Sequence, residues 1–367
     1  MQSVTSRRAI VSFALLAAIV VVAGFLALQL APRAAAPVVV PSPISRAADY
    51  GPPPSNVPLL WVQDPNHAGW LIGFDWTGKP RGTVKISQPL GQFDKVSQAP
   101  DGSTFGIEAN GKGGFRVYLD RLGNPSPSPS SVINYQLEMW ADDSRHVCTL
   151  SGLGGHWNLG LMVPGGAQNP VNVVALDPTL ARSGIIAFSF AACSVRNDRA
   201  VIQYSYSGRP TEYYVVRISD GAILQQRTYP ADQVENVTAS MDGSLIAENS
   251  GATFIRRTSD LSVVTRLDPT ARVLAFSGDD SLVLATTAPT IAGQPAMQEV
   301  VDLQTGSVVW HGEGTSALGG FAVPPAGNAF AVALTQPGEA DLPATILIVY
   351  GDGSRPAKLP GLFLPTW

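Results

Sequence analysis

The chain has 367 residues, and its 24 basic and 28 acidic side chains give a formal net charge of −4. This balance argues against a nucleic-acid partner, because phosphate binding needs clustered Lys and Arg. The nearest basic cluster, Arg256 and Arg257, lies on one predicted strand, so its two side chains point to opposite faces. A content of 36 Gly and 30 Pro with only 14% charged residues argues against a helical bundle and predicts an all-β fold.

The first predicted element is a membrane-spanning helix. Residues 9–31 contain no charged side chain, and about 20 apolar residues are enough to cross a bilayer. Arg7 and Arg8 precede this segment, so the positive-inside rule predicts a cytoplasmic N-terminus. Two alternatives stay open, a cleaved signal peptide with a small-residue site at residues 34–36 and a twin-arginine signal at residues 6–8. In each case we expect the rest of the chain to be extracytoplasmic, in the periplasm or at the cell surface.

A spacer is predicted to follow the membrane anchor. Residues 32–58 are rich in Pro and Ala and show no alternating apolar pattern, which is typical of a semi-extended linker. The sequence therefore divides into a cytoplasmic stub with the membrane anchor (residues 1–31), a linker (residues 32–58) and a folded domain (residues 59–367).

Two kinds of turn alternate along the folded domain, each recurring about every 46 residues. In the first kind, called the inner turn, a strand runs into Asp-Gly or Asp-Asp and then Ser, with weaker copies that depart from this pattern. The six inner turns stand at residues 97–103, 140–144, 195–198, 240–244, 276–281 and 324–328. The seven outer turns stand at residues 76–79, 121–124, 164–166, 219–221, 259–262, 304–306 and 351–353. Since Asp accepts hydrogen bonds within its own turn and Gly adopts positive φ, each turn predicts a tight hairpin.

Two hairpins per repeat give four strands, which is the composition of one β-propeller blade. The seven outer turns predict seven blades, and the missing seventh inner turn leaves the first blade without an innermost strand. The chain ends on a short apolar segment, residues 362–367. We expect this segment to supply the missing strand, because a closed ring leaves no open sheet edge. The sequence thus predicts an all-β, seven-bladed β-propeller whose C-terminal strand closes the first blade, preceded by one transmembrane helix.

The inner turns resemble the Ser-Pro-Asp-Gly-Lys-like turns of PD40 repeats in TolB-type proteins, a WD40-like family of bacterial propellers. Residues 99–103 and 241–244 match best, and the resemblance covers residues 59–367. No blade carries the Gly-His and Trp-Asp pair of eukaryotic WD40 proteins, and the turn at residues 195–198 has no Gly. The resemblance therefore implies a fold and carries over no functional residue.

Cys148 and Cys193 are the two cysteines of the chain. They are predicted on the second strand of blade three and on the innermost strand of blade four, which are adjacent blades. An oxidising compartment permits a disulfide between them, but the Cα separation that a disulfide needs is not given by the sequence. A disulfide and a pair of buried apolar thiols are therefore both open.

Sequence motifs for catalysis or metal binding are absent. The chain has no Gly-x-Ser-x-Gly elbow, His-Glu-x-x-His pair, phosphate loop or Cys-x-x-Cys motif. A multi-histidine metal centre would use nearly all of its four His residues. We therefore expect no catalytic residue, no metal and no cofactor.

One candidate binding surface combines His, Trp and Tyr. His67 and Trp70 belong to the predicted loop between the second and third strands of blade one, and His156 and Trp157 belong to the same loop of blade three. Tyr213 belongs to the equivalent loop of blade four. These loops open on the face that carries the connections between blades, where exposed aromatic rings suit a sugar or a peptide. The alternative is that Trp70 and Trp157 begin strands and pack between blades, since large aromatic side chains are highly buried on average.

Two classes of function fit these features. The first is a membrane-anchored, extracytoplasmic propeller that acts as a non-enzymatic binding or scaffold module for a protein, peptide or glycan ligand of the cell envelope. The second is a propeller enzyme, a lactonase-like hydrolase or a quinone-dependent dehydrogenase, with its site at the central channel. The connections between blades are largely apolar or contain Pro, as at residues 87–90 and 175–178. This composition favours binding over catalysis.

Overall fold

The computed structural model describes residues 50–64, 67, 69–86, 95–108, 115–127, 136–153, 156–166, 168–175, 187–205, 211–229, 236–250, 252–287, 296–312, 317–335 and 345–361. All of these residues belong to one compact unit, Ser45–Trp367. Within them, no helix is long and apolar enough to cross a membrane. The predicted anchor at residues 9–31 lies outside the described residues.

The described residues form seven antiparallel sheets. The first sheet has the strands β1 (Leu60–Gln63), β2 (Trp70–Phe74) and β3 (Pro80–Lys85). The second has β4 (Lys95–Gln98), β5 (Thr104–Glu108), β6 (Phe115–Asp120) and β7 (Pro125–Pro127). The third has β8 (Gln136–Trp140), β9 (Val147–Leu153), β10 (His156–Met162) and β11 (Gln168–Ala175), and the fourth has β12 (Ala187–Ser194), β13 (Arg199–Ser205), β14 (Thr211–Arg217) and β15 (Ile223–Tyr229).

The remaining three sheets have four strands each. The fifth has β16 (Asn236–Ala239), β17 (Leu245–Ser250), β18 (Ala252–Arg257) and β19 (Val263–Arg266). The sixth has β20 (Ala271–Phe276), β21 (Leu282–Thr287), β22 (Met297–Asp302) and β23 (Val308–His311), and the seventh has β24 (Ala317–Ala322), β25 (Ala329–Thr335), β26 (Thr345–Tyr350) and β27 (Ala357–Leu359).

Each sheet is one propeller blade, because its strands are consecutive in the chain and each pairs with the next one. Every inner turn joins the first two strands of a four-stranded blade, and every outer turn joins the last two strands of a blade. The all-β, seven-bladed architecture predicted from the turns is therefore confirmed. In the first blade the strands described are the second, third and fourth of the repeat.

The seventh blade lies next to the first. A Cβ atom placed on Gly361 would lie 1.9 Å from Cγ1 of Val62 on β1 and 3.3 Å from Cδ1 of Ile346 on β26. The chain at Gly361 thus passes so close to both blades that no side chain fits. The predicted closing strand at residues 362–367 lies outside the described residues, so its pairing with the first blade stays a prediction.

The hydrophobic core lies between neighbouring blades. Between blades one and two, the rings of Trp61 and Phe105 meet edge to face with their centroids 5.1 Å apart. Both side chains are fully buried, and Trp61 Nε1 donates a hydrogen bond to the carbonyl of Gly102 at 2.9 Å. Burial of a large apolar side chain contributes about 1.5 to 3 kcal/mol, so the packing of Trp61 against Phe105 stabilises the contact between blades one and two.

The end of the predicted linker packs against the propeller. The amide of Thr83 on β3 donates to the carbonyl of Gly51 at 3.1 Å, and a Cβ on Gly82 would lie 2.5 Å from Cα of Pro53. Arg121 in the outer turn of blade two donates to the carbonyl of Pro54. The linker takes part in these contacts through its backbone atoms, which explains why the side-chain pattern of residues 32–58 did not reveal them.

Hydrogen bonds that involve the inner turns join consecutive blades from the first to the seventh, and we call this set of contacts the interblade ring. From blade one to blade seven its bonds are Leu59 N to Asp101 O (3.1 Å), Asp101 N to Ser144 Oγ (3.0 Å), Ser194 Oγ to Asp142 Oδ2 (2.7 Å), Asn197 Nδ2 to Asp242 O (2.9 Å), Ser244 Oγ to Asp280 Oδ2 (3.2 Å) and Asp279 N to Gly327 O (3.2 Å). The Asp and Ser residues of the repeat thus connect blades as well as form turns.

Candidate functional site

A cavity of about 420 Å³ lies in the central channel. The innermost strands of blades two to seven all contribute to its wall. Its apolar lining includes Met139, Phe190, Met241, Leu274, Phe276 and Phe321. Because these strands are the first of each repeat and surround one axis, the ring of blades itself builds the cavity.

Few polar side chains reach this cavity. Glu138 on β8 lines it, and Tyr118 donates a hydrogen bond to Glu138 Oε2 at 3.1 Å. Ser97 on β4 also lines it, and Ser97 Oγ has no hydrogen-bond partner in the part of the chain that the structure describes. Thr238 Oγ1 donates to the carbonyl of Val273 at 3.1 Å. Among the described residues, no group of three His, Cys, Asp or Glu side chains is placed to hold a metal ion.

His67 and Trp70 lie together at the loop between β1 and β2. His67 is exposed, and its Nδ1 lies 2.9 Å from Oδ2 of the buried Asp64. The amide of Trp70 donates to the carbonyl of His67 at 3.2 Å, and the Trp70 side chain is partly buried. The histidine therefore also helps to shape this loop, and its role in ligand binding stays a prediction.

Trp157 lies in the interior between blades three and four. It follows His156, the first residue of β10, and only 6% of its surface is exposed. Its ring lies 4.1 Å from that of Phe188 on β12, measured between centroids. Trp157 therefore packs between the two blades, as the alternative interpretation expected, and its role in ligand binding stays a prediction.

Tyr213 is also buried, between blades four and five. Its side chain on β14 has no exposed surface, and its hydroxyl donates to Glu248 Oε1 at 2.9 Å. The structure therefore does not place Tyr213 on a surface beside His67 and Trp70. The sequence carries one signal of this burial, because Tyr213 and Val215 lie on the same face of the strand by the two-residue period.

Glu248 is the centre of a cluster that the sequence analysis missed. The side chain is 1% exposed on β17, where Arg256 Nε donates to its Oε2 at 2.8 Å and Arg227 Nε lies 3.5 Å from its Oε1. Burial raises the pKa of Tyr213 and of Tyr229, and the negative charge of Glu248 raises both further. Both tyrosines therefore stay neutral beside Glu248.

A disulfide links Cys148 on β9 with Cys193 on β12, with their Cα atoms 6.1 Å apart. Both cysteines belong to the buried cluster of blades three and four that also contains Trp157 and Phe188. Cys193 also lines the central cavity. The disulfide thus joins two adjacent blades next to the channel.

Comparison with known proteins finds similar structures but no family. No family model matches the chain, and no curated protein matches it. It is similar to the crystal structure of the Myceliophteria thermophila Cps50 (Swd1) β-propeller domain, with 11% identity, a TM-score of 0.48 and coverage of 76% of this chain and 90% of that one.

It is also similar to dihydro-heme d1 dehydrogenase NirN in complex with DHE, with 12% identity, a TM-score of 0.45 and coverage of 84% of this chain and 65% of that one. The resemblance to TolB-type PD40 proteins stays a prediction. The strand order of the seven sheets identifies the described part of the chain as a seven-bladed β-propeller.

Proposed function

We propose that this chain is a non-enzymatic binding or scaffold module that holds an apolar side chain of a peptide or protein ligand in its central channel. The observation that carries this proposal is the cavity of about 420 Å³ with its lining of Phe, Leu and Met side chains. A volume of about 300 to 1,000 Å³ is usual for ligand pockets. Methionines such as Met139 and Met241 adapt to ligands of different shape, because their side chains are flexible and polarisable.

Peptide selection tests this proposal. The full chain in detergent is used to select binders from a displayed random-peptide library. The affinity of the best peptides is then measured for the unsubstituted chain and for the variant Ala191→Trp. Ala191 lines the cavity, so the larger ring fills it, and we expect the affinity to fall at least about tenfold. The control is Val163→Trp, because Val163 is exposed and lies outside the cavity lining. Equal affinity of both variants would exclude the channel as the binding site.

The alternative function is a propeller enzyme with its site in the same channel. Among the described residues, the polar lining of the cavity consists of one carboxylate, Glu138, the side-chain amide of Asn236 and a few hydroxyl groups. Elemental analysis and absorbance spectra of the purified full chain distinguish the two functions. A stoichiometric metal or a chromophore would reverse the preference for binding.

We further propose that residues 9–31 anchor the propeller outside the cytoplasm. Their lack of charge and the preceding arginines support this topology. The Cys148–Cys193 disulfide also suits an oxidising compartment. The full-length protein is expected to fractionate with membranes and to be digested by protease added outside the inner membrane. A soluble mature form that begins near Pro37 would show that the segment is a cleaved signal.

A further inference from the structure

Three arginines from different strands converge between blades four and five. Arg227 lies on β15, Arg256 on β18 and Arg266 on β19. The guanidinium carbons of Arg256 and Arg266 lie 5.5 Å and 5.4 Å from the ring centroid of Phe254. That of Arg227 lies 4.8 Å from the ring centroid of Tyr229. We call these three arginines and two aromatic rings the arginine groove.

The arginine groove carries more positive charge than its own carboxylate neutralises. Glu248 contacts Arg227 and Arg256, and the tyrosines beside it stay neutral because their pKa values are raised. Within the described residues, the side chain of Arg266 has no ion pair or hydrogen bond, and it contacts the ring of Phe254. One carboxylate against three guanidinium groups leaves an excess of two positive charges.

Contacts within the groove hold its guanidinium groups in place while leaving some of their donors free. Arg256 donates through Nε to Glu248 and through Nη1 to the carbonyl of Leu261 at 2.9 Å. Arg227 approaches Glu248 through Nε, and its outer nitrogens have no partner among the described residues. Its side chain is 33% exposed, compared with 13% for Arg256, and Arg266 is exposed. Glu248 contacts Arg227 and Arg256, but it does not contact Arg266 among the described residues, so Glu248 does not explain the third arginine.

We propose that the arginine groove is a binding site for an oxyanion group, a carboxylate or a phosphate, of a ligand. The planar fork of a guanidinium group matches both oxyanions with two parallel hydrogen bonds. Aromatic faces beneath the guanidinium planes stabilise them and limit their orientations. Arg266 ends β19 and Thr211 begins β14 beside Tyr229, so the groove opens toward the face that carries His67 and Trp70. This site does not depend on the function proposed for the central channel.

Titration of two small anions tests the site on the full chain in detergent. Inorganic phosphate and citrate are titrated at constant ionic strength, and binding is measured by calorimetry and by the rise in melting temperature. We expect dissociation constants on the order of 1 mM for the preferred anion. Phosphate binding alone identifies a phosphate ligand, and citrate binding alone identifies a carboxylate ligand. Failure of both anions to bind would overturn the proposal.

Matched substitutions locate the binding. Arg266→Gln removes an exposed arginine that has no ion pair, so the variant is expected to fold and to bind the anion at least about tenfold more weakly. Arg257→Gln removes the same charge from the opposite face of β18, where Arg257 is exposed and contacts Ser262. This control is expected to bind as the unsubstituted chain does. An equal loss in both variants would assign the binding to general surface charge and overturn the site.

Discussion

Two carboxylates of the interblade ring, Asp242 and Asp280, lie side by side between blades five and six. Asp280 has a φ of 59° and accepts a hydrogen bond from Ser244 Oγ. Burial raises the pKa of Asp280 to about 7, and the charge of Asp242 contributes to the rise. The pKa of an unfolded Asp is about 3.9, so between these two values the folded state keeps a proton that the unfolded state has released. The free energy of unfolding therefore falls as the pH rises from about 4 to 7, because the unfolded Asp ionises in this range and the folded one does not, and it stays reduced above pH 7.

The variant Asp280→Asn removes this charge and keeps a side chain that tolerates positive φ. We expect it to increase the free energy of unfolding at both pH 5 and pH 8. The increase is expected to be larger at pH 8, and the difference between the two increases is on the order of 1 kcal/mol after allowance for solvent screening. Thermal melts at the two pH values measure the effect. The control is Asp352→Asn, because backbone hydrogen bonding lowers the pKa of this carboxyl and its loss is expected to destabilise at pH 8. An equal gain at both pH values would contradict the interpretation.

The buried position of Trp157 predicts a loss of stability on truncation. Trp157→Ala removes the ring that packs on Phe188, and loss of a buried aromatic side chain costs about 3 to 5 kcal/mol. Trp70→Ala is expected to cost less, because Trp70 is only partly buried. Chemical denaturation of both variants makes the comparison. An unchanged midpoint for Trp157→Ala would show that this ring does not stabilise the contact between blades three and four.

At the scale of elements, the disulfide between β9 and β12 constrains a chain segment with a sequence separation of 45. A disulfide that closes a loop of this length contributes about 2 to 4 kcal/mol, chiefly by restricting the unfolded chain. The double variant Cys148→Ala, Cys193→Ala is expected to lose this amount in denaturant unfolding. Reductant is expected to lower the midpoint of the unsubstituted chain and to leave the double variant unchanged. The same midpoint with and without reductant in the unsubstituted chain would argue against the link.

The sequence predicted the elements well because their signals are local. A turn such as that at Gly102, with a φ of 67°, is encoded by neighbouring residues, so strand order and blade number follow from the turns. Contacts between blades depend on residues far apart in the chain. Arg227, Arg256 and Arg266 come from three strands, and Tyr213 on blade four donates a hydrogen bond to Glu248 on blade five. No local pattern brings such residues together, which is why the arginine groove and the contact between Tyr213 and Glu248 were not predicted.

At the scale of the whole molecule, the contact between blades seven and one can be tested at Gly361. A larger side chain there meets Val62 at a Cβ distance of 1.9 Å, so Gly361→Val is expected to lower the melting temperature. Lys358→Ala on the exposed side of β27 is the control. Deletion of residues 362–367 is expected to destabilise more, because each large apolar side chain that loses burial costs about 1.5 to 3 kcal/mol. Melting temperatures unchanged by both the deletion and the substitution would refute the predicted closure.

The interblade ring also determines how the propeller comes apart. A linear stack of repeats can lose its terminal repeat first, because that repeat has a single neighbour. Here every blade has two neighbours, so unfolding has to start by breaking a junction. The junction between blades three and four is held by a disulfide. At the junction between blades five and six, the carboxylates of Asp242 and Asp280 repel each other when both are ionised. The rate of unfolding is then governed by the weakest junction, and in alkaline solution we expect it to be the one between blades five and six.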